Sequence, residues 1–297
     1  MNRFVIAGLD GSRESLDAAD WAAREAVRRG LPLRLLHVAD APHPRTGLPE
    51  LDVVGARLDG ILNLAAISLS YAHPTLEIHA RQHTGAPIPA LVDAAREAEL
   101  LVLGSRGYSG FAAFMVGSVA LGVAARTHGP VALVRAGELP EDAHEPDADG
   151  APTCTTPYRP VALGLDLTRP SDELLAYAFD AAASRGAPLE VVHAWTLPPL
   201  SAYIPAVTVS VPGDSRELER NTLCSLSAVL RPWQRKFPDT PVRERLVYGH
   251  AGHVLLKASL GASLLVIGRP RNVVRLGRAA HSVIHHVTCP VVVVPHD

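Results

Sequence analysis

The chain is written twice, and a duplicated sequence folds into two copies of one unit, so an internal repeat is the strongest single constraint on its architecture. Arg3–Asp10 recurs as Arg159–Asp166, Leu33–Val38 as Leu189–Ala194, Leu100–Gly104 as Leu264–Gly268 and Pro130–Val134 as Pro290–Val294, at offsets of 156, 156, 164 and 160. The drift of a few residues is what loop insertions and deletions produce. A length of 297 residues also suits two domains at about 100–200 residues each. Between the copies, Gly137–Tyr158 holds Pro140, Pro146, Pro152 and Pro157 with six acidic residues and almost no large apolar side chains. That composition reads as a solvated acidic linker. The expected organisation is a domain over 1–136, a linker over 137–158 and a second domain over 159–297.

Within each copy, short runs of β-branched residues and leucine alternate with longer segments of helical period, the pattern of a parallel sheet covered on both faces. The spacing predicts strands at about 3–9, 33–39, 76–82, 99–104 and 130–135, with helices near 13–29, 50–72, 87–97 and 117–128. The second copy repeats this with strands near 160–166, 189–195, 242–248, 263–268 and 290–294, and an irregular proline-rich connection over Thr196–Gly213. The fold class is therefore α/β: two tandem flavodoxin-like domains, each a doubly wound, five-stranded parallel sheet. Ser12 is placed to cap the first helix, Gly30 follows its end, and Pro87 and Pro89 open the third. The apolar strands at Val131–Val134 and Val291–Val294 would be exposed edges, so they are expected to pair the two halves. A further chain-to-chain homodimer is also expected.

Composition removes several classes of function. With 30 acidic and 28 basic residues the formal charge is −2, so no global positive field exists to hold nucleic acid or an anionic membrane. Lys236 and Lys257 are the only lysines, which leaves no lysine chemistry in Met1–Arg235. Cys154, Cys224 and Cys289 form neither a disulfide framework nor a CxxC pair. The first ten residues meet Asp10 too early for a signal peptide, and no apolar run of ~18 residues exists. The expectation is a soluble, cytoplasmic protein without a membrane anchor.

In an open parallel sheet, ligands bind beyond the carboxyl ends of the strands, where strand order reverses. Asp10 and Gly104 each end a strand. After the second of these the sequence runs Gly104-Ser105-Arg106-Gly107 to Gly117-Ser118, a G-x2-G-x9-G-S pattern leading into a helix. Gly104 and Gly107 can take positive φ and let backbone amides approach an anion. Gly117 and Ser118 begin a helix whose free N–H groups attract phosphate. The pattern is not a P-loop, because GxxxxGK[ST] is absent; Arg106 is the nearby cation. Nor does a GxGxxG follow the first strand. Asp10 by itself is open to three readings: hydroxyl acceptor, Mg²⁺ partner or turn former.

On Val5–Ser12, His37-Val38, Gly85, the Gly104–Ser118 loop and Gly129–Val134, the chain resembles the universal stress protein family in its tandem two-domain form. The resemblance spans nearly all of both halves outside the linker and the 196–213 connection. It implies adenine nucleotide binding, with ATP as the ligand, Mg²⁺ as its companion, and a regulatory rather than catalytic role in stress response. The residues it implies are Asp10, Gly11, Ser12, Val38, Gly104, Ser105, Arg106, Gly107, Gly117, Ser118 and Val119, with Asp10 also reaching the metal. Two rivals stand beside it. One is a slow ATP hydrolase or adenylyl-transfer enzyme, against which the missing HxGH and SGGxDS signatures count. The other is a nucleotide-free dimerising interaction module.

The second copy departs from the pattern. If Gly277 is matched to Gly117 by their equal 13-residue distance to Pro290 and Pro130, the loop is four residues shorter, Arg271 replaces Gly107 and Arg278 replaces Ser118; matched by the loop's own x2-x9 spacing, His281 falls where Gly117 stands, so the motif fails either way. Leu167 and Thr168 replace Gly11 and Ser12. The loop's arginines read as a solvated cationic surface rather than a phosphate cradle. His281 and His285 share an i, i+4 spacing without a carboxylate or cysteine to complete a metal set, and His250 and His253 are read likewise. Tyr108, Phe111, Phe114 and Met115 read as an apolar loop over its own domain or a partner.

Overall fold

Alternation of β-branched runs with amphipathic segments produces alternation of strand and helix throughout the computed structural model. It describes residues 3–39, 49–105, 116–196 and 212–297, the side chains of 49–59 and 212–215 excepted. The first half runs β1 (Phe4–Leu9), α1 (Arg13–Arg29), β2 (Leu33–Ala39), α2 (Pro49–Ala72), β3 (Ile78–Thr84), α3 (Pro87–Ala94), β4 (Ala98–Ser105), α4 (Ser118–Ala124) and β5 (Val131–Arg135). A 3₁₀ turn at Pro140–Ala143 follows. The second half runs β6 (Val161–Gly164), α5 (Asp172–Ala183), β7 (Leu189–Trp195), α6 (Pro212–Lys236), β8 (Val242–Tyr248), α7 (Ala251–Ser259), β9 (Leu264–Pro270), α8 (Arg278–His286) and β10 (Val291–His296).

The strands join in one ten-stranded sheet of order β3-β2-β1-β4-β5-β10-β9-β6-β7-β8. Each half is parallel in the order 3-2-1-4-5, and the halves meet antiparallel where Val291 pairs with Leu133, Val292 with Ala132 and Val293 with Val131. The two apolar edges thus cover each other, as expected from their composition. Helices α1, α2, α5 and α6 bury one face of the sheet, and α3, α4, α7 and α8 bury the other. No helix among the described residues is long and apolar enough to cross a membrane.

Polar groups lock the halves in register. Glu25 of α1 is fully buried and bound by Arg28, by Arg29 at 2.7 Å and, from the second half, by Arg185 at 2.6 Å. Burial pushes its pKa up, but the three guanidiniums prevail and hold it at about 2. Two further arginines exchange across the junction. Arg135 donates to the Val287 carbonyl at 2.6 Å, and Arg269 donates to the Thr127 carbonyl. Each closes the chain after the last helix of the opposite half.

Three expectations need correction in detail. The predicted third and fourth helices end early, at Ala94 and Ala124, because bonds such as Arg96 N–H to Asp93 and Arg126 N–H to Val123 tighten the chain into i→i+3 turns. The third strand lies at Ile78–Thr84, two residues later than its apolar start suggested. The 137–158 segment is largely solvent-facing, as an acidic stretch should be, yet it is folded back on itself: His144 bridges Tyr158, their rings 3.9 Å apart, and Arg159 N–H bonds the Ala143 carbonyl. Most of the Thr196–Gly213 connection lies outside the described residues.

Candidate functional site

The strand order reverses between β1 and β4, which pair in parallel from Val5↔Leu100 to Gly8↔Leu103. Their carboxyl ends therefore open the crevice in which a ligand of this architecture sits. Asp10, Gly11 and Ser12 form its first wall. Gly11 has φ +81°, a backbone that favours glycine. The Asp10 carboxylate accepts the Ser12 N–H at 3.0 Å and the Ser12 hydroxyl at 2.5 Å, while Ser12 Oγ accepts the Ser15 N–H at 3.2 Å and caps α1. Burial works to raise the Asp10 pKa, but the bonds from Ser12 and Ser15 outweigh it and leave the group below its ordinary value. Asp10 is thus exposed and ionised, and it forms the turn. The second half repeats the arrangement: Asp166 accepts the Thr168 N–H at 2.9 Å and its hydroxyl at 2.7 Å. The turn-forming role of Asp10 is therefore seen directly.

Val38 lies near the end of β2, half-buried beside the α3/α4 side of the core. Its neighbour His37 donates from Nδ1 to the Leu9 carbonyl at 2.7 Å, tying the end of β1 to the end of β2. His193 makes the same bond to Leu165 at 2.9 Å. Histidine recurs at the matching position of both copies, which is the signal in the sequence for this positioning role. Among the described residues no hydrogen-bond partner reaches the buried Nε2 atom of His37.

The far wall starts at Gly104 and Ser105. Gly104 does not use positive φ, contrary to the sequence reading. Its hydrogen faces the first turn of α1, where a Cβ would come within 2.6 Å of the Glu14 carbonyl carbon and oxygen. Close approach of helix and strand is the reason for glycine here. The Ser105 hydroxyl is buried and donates to the Val134 carbonyl at 3.1 Å, so it is committed to the sheet. Arg106, Gly107, Tyr108, Phe111, Phe114 and Met115 lie outside the described residues. Gly117 is the N-cap residue of α4 without a side-chain cap, and among the described residues a Cβ there would meet nothing within 4 Å. Ser118 and Val119 are exposed on the first turn. Among the described residues no side chain caps the helix start.

In the second half, Gly277 is the N-cap residue of α8 as Gly117 is of α4, which supports matching the loops by their distance to Pro290 and Pro130. The intervening loop is not wholly solvated as expected. Arg269 is 2% exposed and donates from its two terminal nitrogens to the carbonyls of Thr127, Pro270 and Val273, and Arg271 binds Glu173 and Asp297. Arg275 and Arg278 are exposed. His281 and His285 stack edge to face at 4.6 Å, and no cluster of three metal-ligating side chains occurs among the described residues.

The sequence model of the universal stress protein family matches residues 1–135 and 157–295. A universal stress protein of Mycobacterium tuberculosis strain H37Rv is 31% identical, the alignment covering 97% of this chain and 96% of the relative. One from Mycolicibacterium smegmatis is 28% identical over 98% of this chain and 96% of its own length. Among solved structures, a universal stress protein from Archaeoglobus fulgidus superposes with a TM-score of 0.69 at 17% identity, covering all of both chains. At that identity the superposition speaks for the fold alone.

Proposed function

The chain belongs to the universal stress protein family, and from that premise we propose that its first half, over residues 1–136, binds one adenine nucleotide, ATP with Mg²⁺, and that the second half, over 159–297, is a structural partner. The observation that carries this reading is the G-x2-G-x9-G-S loop, which leaves the end of β4 at the strand-order reversal and enters α4 at an uncapped, exposed N-terminus. Gly117, Ser118 and Val119 would offer amides and a hydroxyl to phosphate oxygens. Asp10 and the Val38 backbone would meet the ribose and base. The role is regulatory: the bound nucleotide changes what the surface presents to a partner in a stress response. The second half lacks the parts, since Arg271 stands in for glycine, Arg278 for serine, and two loop arginines are spent on protein partners.

Mass spectrometry of the ligand released from freshly purified protein tests the reading. It should give an adenine nucleotide in near-equimolar amount, and turnover by the pure protein should stay negligible. Absence of any nucleotide after titration with ATP and Mg²⁺ would return the chain to the interaction-module rival.

A further inference from the structure

Two guanidiniums and two hydroxyls at the junction of the halves keep buried donor atoms that no partner reaches among the described residues. They fall into two pairs, each with one member from each half. Arg29 of α1 stands over Tyr177 of α5, its guanidinium carbon 5.2 Å from the ring centre, and Nη2 and Oη are the unmet atoms. Arg269 of β9 reaches Thr127, just beyond α4, and there Nε and Oγ1 are the unmet atoms.

The two pairs differ in charge. Arg29 is bound by the carboxylates of Glu25 and Asp180. Arg269 donates from Nη1 to the carbonyls of Pro270 and Val273 at 3.2 and 3.3 Å and from Nη2 to that of Thr127. Among the described residues no carboxylate pairs with it, and Glu173 and Asp297 are both bound to Arg271, at 3.1 and 3.2 Å. Burial and the charge of Arg271 together hold the Arg269 pKa below its ordinary value. A buried cation that meets only neutral carbonyls is a costly group for a fold to keep.

The direction of the unmet donors follows from the shape of the guanidinium. Nε–H and one Nη2–H run side by side along one edge of its plane, the edge that grips anions. Nη2 on that edge already reaches the Thr127 carbonyl, so Nε–H is turned toward the same residue. We propose that Arg269 of the second half and Thr127 of the first together bind one small monovalent anion of the halide class, held between Nε and Oγ1. A water would accept from both donors but would leave the guanidinium without a counter-charge. Thr127 is 1% exposed and Arg269 nearly as closed, which suits a monatomic ion rather than sulfate or a phosphate group. Exposed Arg126 and His128 flank Thr127, and exposed Arg275 and Arg278 follow Arg269, so the local field draws anions toward the site. The bound ion ties the halves together on the α4 and α8 face, as Glu25 and Arg185 tie them on the α1 and α5 face.

Thermal unfolding of the full chain, with chloride exchanged against gluconate at constant ionic strength, reads the site. Above saturation, each tenfold rise in chloride should raise the melting temperature by about 2–4 °C. Thr127→Val matches the shape of threonine and keeps the carbonyl that Arg269 binds, so it should fold and should need at least tenfold more chloride for the same rise. Crystals grown with bromide in place of chloride should show an anomalous peak within hydrogen-bond reach of Arg269 Nε and Thr127 Oγ1. A melting temperature indifferent to chloride, the same chloride dependence in Thr127→Val, or density without anomalous signal between the two atoms would each overturn the proposal.

Discussion

Gly117 allows the phosphate reading to be tested apart from the fold. Its φ of −58° suits any residue, and among the described residues its missing Cβ would meet nothing within 4 Å, so substitution brings no strain from them. Aspartate at this N-cap position should raise helix stability by a few tenths of a kcal/mol while placing its own carboxylate on the amides that phosphate needs. Gly117→Asp should therefore lose at least tenfold in ATP affinity by calorimetric titration, with an unchanged or slightly higher melting temperature, whereas Gly117→Ala should stay close to wild type. Gly104→Ala is the opposite case. A Cβ 2.6 Å from the Glu14 backbone must push α1 away from β4, at a cost of about 1–3 kcal/mol in urea unfolding, with or without nucleotide. Both glycines stand in one sequence pattern, and nothing in that pattern distinguishes an amide cradle from a close contact with a helix 90 residues earlier in the chain. Asp10 shows the same limit. Its place at a strand end was legible, but its bonds to Ser12 arise from three-dimensional turn geometry. Asp10→Ala should weaken ATP binding, more so with Mg²⁺ present; affinities equal to wild type both with and without the metal would leave only the turn.

Helix α1 carries the clearest local signals and also the least legible interaction. Ser12 and Gly30 mark its ends in sequence and cap it in the structure, Gly30 at φ +63°. Glu25, by contrast, looks like one more charge on an amphipathic helix, and only assembly of the halves reveals it as an acid surrounded by Arg28, Arg29 and Arg185. Its pKa is depressed from 4.5 to about 2, so its stabilisation is fully present above pH 4.5 and is lost as pH falls toward 2. The amount is about 3 kcal/mol. Glu25→Gln should destabilise the chain by about 3–5 kcal/mol at pH 7, since it strands three guanidiniums beside a neutral group, and should flatten the loss of stability between pH 4.5 and 2. Denaturant midpoints measured across that range check both expectations. The 137–158 element failed in a related way: its acidic, proline-rich composition fits exposure to water, but the Arg24–Glu138 pair and the His144–Tyr158 stacking depend on partners that local composition does not show.

At the scale of the whole molecule, the duplication predicted two copies of one parallel sheet, and the apolar edges at Val131–Val134 and Val291–Val294 predicted how they join. What the repeat leaves hidden is the division of labour between two copies of one fold. The first keeps an uncapped helix start behind a glycine-rich loop, and the second carries arginines in the corresponding loop, two of them bound to protein. Native mass spectrometry of the full chain with ATP and Mg²⁺ tests that division most directly, because it counts ligands on an intact β5–β10 junction. One adenine nucleotide per chain is predicted, absent in Gly117→Asp and retained in Gly277→Asp, whose substitution stands at the equivalent N-cap of α8. Two nucleotides per chain, or loss of the single one in Gly277→Asp but not in Gly117→Asp, would contradict it.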